Sequence, residues 1–538
     1  MIQKDIILKG TLSDFSAVSF RINLSDALHQ NYQKIDAKSN VRINIENGNI
    51  QIYSGKCKLI KQANGSYRNF VVEPIQHQIQ RYEPKEYRST RQELVPLPNI
   101  IFKHPITGKI IDLKIVDISG SGFSVEEYEN TAVLLPGMII PELELSFAGS
   151  IRIKCRAQVL YRKKLPEVEG ESIFKIGFAI IDMDDEGQVL LSALLHQAEN
   201  KNSYVCNKVD MNALWDFFFE TGFIYPKKYK FIEANKEKIK ETYEKLYTKN
   251  LNIARHFTYI NNGIIHGHLS MLRFYENTWM IHHHAARKST HMSAGLSVMS
   301  QIGRFINESF RLDSSHLDFL FCYFRPENAF PNYFFGGVAR NLNDARGCSI
   351  DEFAYCHFKK GKMDGLNPEG PWSLVKTDDG DLQELKDYYK NQSGGLMIDA
   401  FDLGGNNIEL NDLKNEYDKI GLSREINTFS LKHNDNLKAI IIINKSDIGL
   451  NLSDLTNSFM IVILDPVKLK KDILYSIIVN NLEEFHNDEM PVLIYPNTYA
   501  NDNAIDIEKI YRLWILNTQY LDQYFRIIDE FKKETIRN

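Results

Sequence analysis

The sequence predicts a multidomain protein: an all-β amino-terminal domain, a second all-β block closed by a helix, and a long α/β region. Three observations predict it. At 538 residues the chain is several times the usual ~100–200 per domain, so it divides into about three or four units. Runs with strand periodicity fill the chain up to Met183, whereas helical and strand patterns alternate from Leu214 onward. Hydrophobic residues make up 43% and charged residues 25%, too apolar for a disordered chain, so each unit can bury a core.

The elements follow in order. Short alternating runs, Val18 to Ile22 and Val41 to Ile45, then Gln51 to Tyr53 after the Asn47-Gly48-Asn49 turn signal, place a small β domain between Ile6 and Val72. A polar stretch from Gln76 to Glu93 reads as a linker. Runs at Ile100 to Phe102, Ile110 to Val116, Ile151 to Val159 and Phe174 to Ile181 show no βαβ pattern, which predicts a closed antiparallel barrel over 99–183. A helix from Glu186 to Glu199 closes this block. The α/β region carries a lysine-rich amphipathic helix (Ala234 to Tyr247), two strands (Ile264 to Phe274 and Trp279 to Ala286), a helix (Ala294 to Phe310) and a strand (Leu317 to Phe324). After the acidic stretch Thr377 to Asp381 a similar order recurs: a helix at Leu382 to Lys390, strands at Thr428 to Leu431, Leu437 to Asn444 and Phe459 to Asp465, a helix at Leu469 to Phe485, and a strand at Met490 to Tyr495. These patterns divide the chain at 1–82, 83–198, 199–376 and 377–538.

Charge narrows the function. With 64 basic against 69 acidic residues, no global positive field exists to hold nucleic acid or an anionic membrane, and any anion needs a local cluster. The longest apolar runs, Ala439 to Ile443 and Phe459 to Leu464, are far short of a membrane span. The start, Met1 to Asp5, lacks a secretory pattern, and six scattered cysteines without CxxC spacing read as reduced thiols, which together predict a cytoplasmic protein.

The sharpest motif is Asp117-Ile118-Ser119-Gly120-Ser121-Gly122 at the end of a strand, where glycines permit a tight path and the short side chains offer an acceptor and a hydroxyl. Upstream lies Arg88-Ser89-Thr90-Arg91, whose guanidinium groups suit phosphates and purine faces. At these residues the sequence resembles the PilZ domain, whose ligand motif is an RxxxR linker element followed by a D/N-x-S-x-x-G turn. The resemblance covers roughly 83–198 and includes Leu135-Pro136-Gly137 and the Ile176 to Ala179 strand; the preceding β domain is placed like that of flagellar-brake-type PilZ proteins. It implies a bacterial signalling protein that binds cyclic di-GMP through Arg88, Arg91, Asp117, Ser119 and Gly122. Arg91 takes the second arginine position and Tyr87 the first, with Arg88 beside it. This predicts micromolar binding, or one ligand per chain, unless Arg88 substitutes.

In the α/β region the order of elements, and the ending Tyr511 to Leu516 followed by Tyr520 to Phe525, resembles a tandem GNAT acyltransferase. That family cradles the donor pyrophosphate on a Q/R-x-x-G-x-G/A loop at a helix start. The corresponding segment is Thr290 to Gly295, where Gly295 matches and Ser293 replaces the first glycine; Arg287 and Lys288 supply nearby charge. The resemblance implies N-acyl transfer from acyl coenzyme A or from an acyl carrier protein, regulated by the messenger. The alternative is a non-catalytic receptor whose GNAT-like half is an interaction surface with a protein partner. A helix from Ser293 to Asn307 opening into a cleft between splayed strands is the expectation that bears on this choice.

Histidines cluster at His266, His268, His282, His283 and His284. Alternate residues share a strand face, so whether the pairs meet depends on hairpin register. Satisfied, partly buried histidines are the expectation, and no metal site is predicted because no cysteine or carboxylate completes a ligand set; a neutral histidine acting as general base toward an amine is the alternative, and no catalytic residue is assigned. Gly336-Gly337 reads as a loop signal.

Overall fold

The computed structural model describes residues 2–537 except 4–5, 26–38, 63–68, 78–84, 168–169, 225–228, 288–292, 360–369, 405–410, 451, 453 and 482–488. The chain forms two compact units. Unit one is Met1–Lys201 with Gly303–Ser315; unit two is Asn202–Ile302 with His316–Asn538.

Unit one begins with a sheet built from β1 (Ile2–Gln3), β2 (Ile6–Ile7), β3 (Gly10–Phe15), β4 (Phe20–Leu24), β5 (Val41–Asn47), β6 (Ile50–Gln62) and β7 (Asn69–Pro74). Its order is β2-β1-β5-β6-β7-β4-β3. Alternation does the sorting: on β4, Phe20, Ile22 and Leu24 are buried while Arg21 and Asn23 face water. The predicted Asn47-Gly48-Asn49 turn joins β5 to β6, with Gly48 at φ +62°.

A closed barrel follows: β8 (Asn99–Lys103), β9 (Ile110–Ser119), β10 (Gly122–Tyr128), β11 (Ile139–Phe147), β12 (Ile151–Lys164) and β13 (Ile173–Met183). All its pairings are antiparallel, as the strand pattern predicts. Ile118, Phe123, Val125, Leu145, Val159, Ile176 and Phe178 fill the interior. Helix α1 (Asp185–Glu199) is capped by Asp184, whose side chain accepts from the Gly187 N–H at 2.6 Å. The amino-terminal sheet and the barrel share one core. Gly137, at φ +92°, lies under the Tyr53 ring, and Ser54 N–H donates to its carbonyl at 3.1 Å. The Leu135-Pro136-Gly137 turn is therefore where sheet and barrel lock.

Unit two holds β14 (Ser203–Val205), α2 (Met211–Glu220), α3 (Tyr229–Ala234), α4 (Lys236–Thr248), β15 (Ala254–Asn261), β16 (Ile264–Tyr275) and β17 (Thr278–Ala286). Helix α5 (Ser293–Ser309) starts there and, from Gly303, continues into unit one. Then come β18 (Phe319–Phe324), α6 (Ala329–Leu342), β19 (Cys348–Lys359), β20 (Trp372–Lys376), α7 (Asp379–Gln392), α8 (Met397–Ala400), α9 (Asn411–Asp418), β21 (Arg424–His433) and β22 (Asn436–Ser446). The chain closes with β23 (Phe459–Ile463), α10 (Lys471–Asn481), β24 (Glu489–Tyr495), α11 (Asn497–Asp502), β25 (Lys509–Asn517) and α12 (Leu521–Arg537).

These strands make one sheet of 12, ordered β14-β15-β16-β17-β18-β25-β19-β24-β23-β22-β21-β20. The recurrence read from sequence has a structural counterpart with an exchange. Parallel contacts join β17 to β18 and β23 to β24, but the strand beside β18 is β25 and the strand beside β24 is β19. The exchanged strands pair antiparallel in the middle, from Cys348↔Leu516 to Tyr355↔Lys509. Local patterns carry no information about such an exchange.

Two expectations need correction. Gly336 and Gly337 lie inside α6 rather than in a loop. A Cβ on Gly337 would come within 2.9 Å of the Phe531 ring on α12, so the glycine serves close helix approach. The lysine-rich helix begins at Lys236, after a separate turn of helix, although its predicted stripe of Ile239, Tyr243 and Leu246 is buried.

Candidate ligand-binding site

In unit one, the β9–β10 turn is tight because Ser119 Oγ, itself buried, donates to the Gly122 carbonyl at 3.1 Å. Gly122 has no alternative: a Cβ there would stand 2.3 Å from the Phe178 carbonyl oxygen on β13. Below it, Phe123 and Phe178 stack at 4.7 Å. The linker joins this turn through a single antiparallel bridge, Gln92 and Ile118 exchanging both backbone hydrogen bonds at 2.8 and 2.9 Å. That exchange carries the neighbouring Arg91 to Asp117.

Arg91 Nη1 donates to Asp117 Oδ1 at 2.8 Å, and Lys175 Nζ on β13 donates to Oδ2 at 2.6 Å. Burial pushes the Asp117 carboxyl up, but the Lys175 ammonium and the Arg91 guanidinium outweigh it and hold the group below the usual carboxylate range. Both oxygens are thus engaged by cations.

A cleft of about 380 Å³ opens at this point. Arg88, Arg91, Asp117 and Ser119 line it together, and Tyr87 does not. Gly122 supports the turn from behind. Arg88 Nε donates to the Lys85 carbonyl at 3.1 Å. The cleft also takes side chains that the motif does not contain: His77 stacked on Tyr161 at 5.1 Å, and Lys85, Glu308 and Arg311. Glu308 and Arg311 come from the segment that unit one draws from far along the chain. No periodicity or spacing links them to the motif. Lys175 sits on β13, on a predicted strand, yet only the barrel's closure brings it to Asp117.

In unit two, α5 begins at Ser293 as expected. Strand β17 pairs with β18 only over Thr278 to Met280 and runs on to Ala286 beyond that pairing, so the two part toward the helix start. Gly295 backs onto β17: a Cβ would lie 3.2 Å from Ala286 Cβ, and His284 Nε2 is 3.4 Å from the Gly295 carbonyl. Arg287 is occupied, pairing with Glu220 and donating from Nε to the Ile265 carbonyl at 2.8 Å. Lys288 and the Ser293 side chain lie outside the described residues.

The histidines meet through a bulge. His268 faces Ala285 but Ser270 faces His282, so β17 carries one extra residue, and His283 takes φ +54°. His268 Nδ1 lies 3.1 Å from the His283 carbonyl, and Tyr247 Oη 3.2 Å from His283 Nδ1. Burial lowers His256 to about 3, His268 to about 4 and His282 to about 3, so all three are neutral. Among the described residues no group of three or more His, Cys, Asp or Glu is placed to hold a metal ion.

No family model matches the chain, and no curated protein does. Among solved structures, the K. pneumonia MrkH–c-di-GMP complex is similar at 16% identity, over 36% of this chain and 82% of that one, with a TM-score of 0.20. The PilZ domain with c-di-GMP of YcgR from Escherichia coli is similar at 14% identity, over 22% and 94%, with a TM-score of 0.19. A GCN5-related N-acetyltransferase from Sphaerobacter thermophilus is similar at 9% identity, over 59% and 96%, with a TM-score of 0.31. These are partial likenesses of fold at low TM-scores. No helix among the described residues is long and apolar enough to cross a membrane.

Proposed function

We propose that the chain is a cyclic di-GMP-binding signalling protein whose barrel regulates an attached GNAT-like N-acyltransferase region. One observation carries the binding half: Arg88 and Arg91 of the linker and Asp117 and Ser119 of the β9–β10 turn, two separate segments, line one cleft of about 380 Å³. Guanidinium groups grip phosphodiesters by charge-assisted hydrogen bonds, and Tyr161 with His77 adds a flat wall of the kind on which purines stack. Calorimetric titration of the full chain with cyclic di-GMP tests it. Saturable heat at micromolar ligand is expected; none at high micromolar ligand sinks the reading.

A second reading, a receptor whose α/β region is an interaction surface, is favoured by the engagement of Arg287 and the seating of Gly295 on β17. Thermal unfolding with acetyl coenzyme A separates the two. A donor at about one hundred times its dissociation constant adds ~2.7 kcal/mol, and an unmoved midpoint favours the receptor.

A further inference from the structure

A cyclic dinucleotide carries two phosphodiesters, and a site that grips both needs more than one cationic centre. The linker provides Arg88 and Arg91, close in sequence, while Tyr87 stands where the motif places another arginine. Arg311, on the turn after α5, lines the same cleft.

Its backbone is fixed from three sides, all within unit one. Ser314 Oγ donates to Asp182 Oδ1 at 3.0 Å and accepts from Gln188 Nε2 at 2.7 Å, tying the segment to the end of β13 and to α1. The linker grips it as well: Lys85 Nζ donates to the Asn307 carbonyl and lies 4.7 Å from the Phe310 ring centroid, and Asn307 Nδ2 donates to Ser89 Oγ at 3.2 Å. The motif turn makes room for it. A Cβ on Gly120 would stand 2.3 Å from Glu308 Oε2, so only glycine at that place in the Asp117 to Gly122 turn admits the segment. Glu308 Oε1 is in turn paired with Arg304 Nε at 3.1 Å, so one of its carboxylate oxygens is already engaged by a cation of its own helix.

We propose that Arg311 completes the cyclic di-GMP site as a phosphate-gripping guanidinium, in the role that Tyr87 does not fill. This rests on the reading of the cleft given above and goes beyond the linker-and-turn motif: the binding site includes a residue that follows the helix begun at Ser293. Ligand occupancy and the placement of the carboxy-terminal part of α5 are then thermodynamically linked.

The test is calorimetric titration of the full-length protein with cyclic di-GMP. Arg311→Ala is expected to weaken binding about ten- to a hundred-fold, and Arg311→Lys less, because an ammonium keeps the charge but loses the bidentate fork. The residual affinity of Arg311→Ala is expected to fall less steeply with added salt than that of wild type. If wild type binds and Arg311→Ala binds equally well, the inference is overturned while the reading of the cleft stands. If wild type does not bind, both fall. Should Arg311→Ala fail to fold, amide exchange of wild type decides: ligand-induced slowing across Gly303–Ser315 supports the role, and slowing confined to the linker and barrel refutes it.

Discussion

Arg91 and Asp117 are joined by a 2.8 Å ion-paired hydrogen bond, although they belong to a linker and a barrel strand separated by 26 positions. The pair orients the guanidinium and leaves its remaining N–H donors for a phosphate. Arg91→Ala is therefore expected to cost about ten- to a hundred-fold in cyclic di-GMP affinity. Asp117→Asn, which keeps an acceptor for Arg91 and loses the charge facing Lys175, is expected to cost less than Asp117→Ala. Titration of the three variants in one buffer checks this order.

The same carboxylate reports on its partners. Because Lys175 and Arg91 depress its folded-state pKa, Asp117 contributes stability that is present above the unfolded value of about 3.9 and is lost as pH falls through the folded value. Lys175→Met is expected to move the Asp117 titration upward, read by carboxyl NMR. No movement would mean that Lys175 does not hold the carboxylate in solution.

Two glycines predict opposite tolerances. Gly122→Ala drives a methyl into the Phe178 carbonyl at 2.3 Å, and that backbone cannot yield without breaking the β10–β13 pairing, so a loss of about 3 kcal/mol is expected. Gly337→Ala meets the Phe531 ring at 2.9 Å, a side chain that can turn aside, and in a helix alanine offsets part of the clash. Urea unfolding of both variants is expected to rank Gly122→Ala as the more damaging.

Unit two is expected to be acid-sensitive. Unfolded histidines take up protons near pH 6.5, whereas burial holds His256, His268 and His282 neutral down to about 3 to 4. Their folded values are depressed, so the stability they allow is full above pH 6.5 and declines as pH falls toward 4. Asp402, raised by burial to about 6, opposes this between about 4 and 6, as do Asp318 and Asp351, which burial also raises; His283, His284 and His316 are lowered by burial and act in the same sense as the first three histidines. Unfolding midpoints measured at pH 7.5, 6.5 and 5.5 are expected to fall across the series, and His256→Gln to flatten it.

Much of this was legible locally. The barrel follows from alternation on strands such as β13, where Ile176 and Phe178 point inward, and the turn follows from Asp117, Ser119 and Gly122, because both depend on near neighbours. The rest depends on where distant segments land. Glu308 and Arg311 look like ordinary residues around a helix end until Gly120 is seen to leave room for Glu308 and the cleft to take both. The Gly336-Gly337 pair resembles a break until α12 is placed against α6. The histidine pairs could not be assigned from period two, because one bulged residue in β17 shifts the ring positions.

The crossing of β19 and β25 in the middle of the large sheet bears on how the chain is made. Phe319 finds its partner at Asn517, so the edge of β18 stays open during synthesis until β25 has been made. Contacts of such sequence separation slow folding and leave unpaired strand edges exposed to other chains. A stop codon before Lys509 would remove β25 and split the sheet into β14 to β18 and β19 to β24, each with a raw edge where Leu320 or Ile350 should be covered. Such a truncated chain is a substrate for chaperones and for aggregation rather than a working protein.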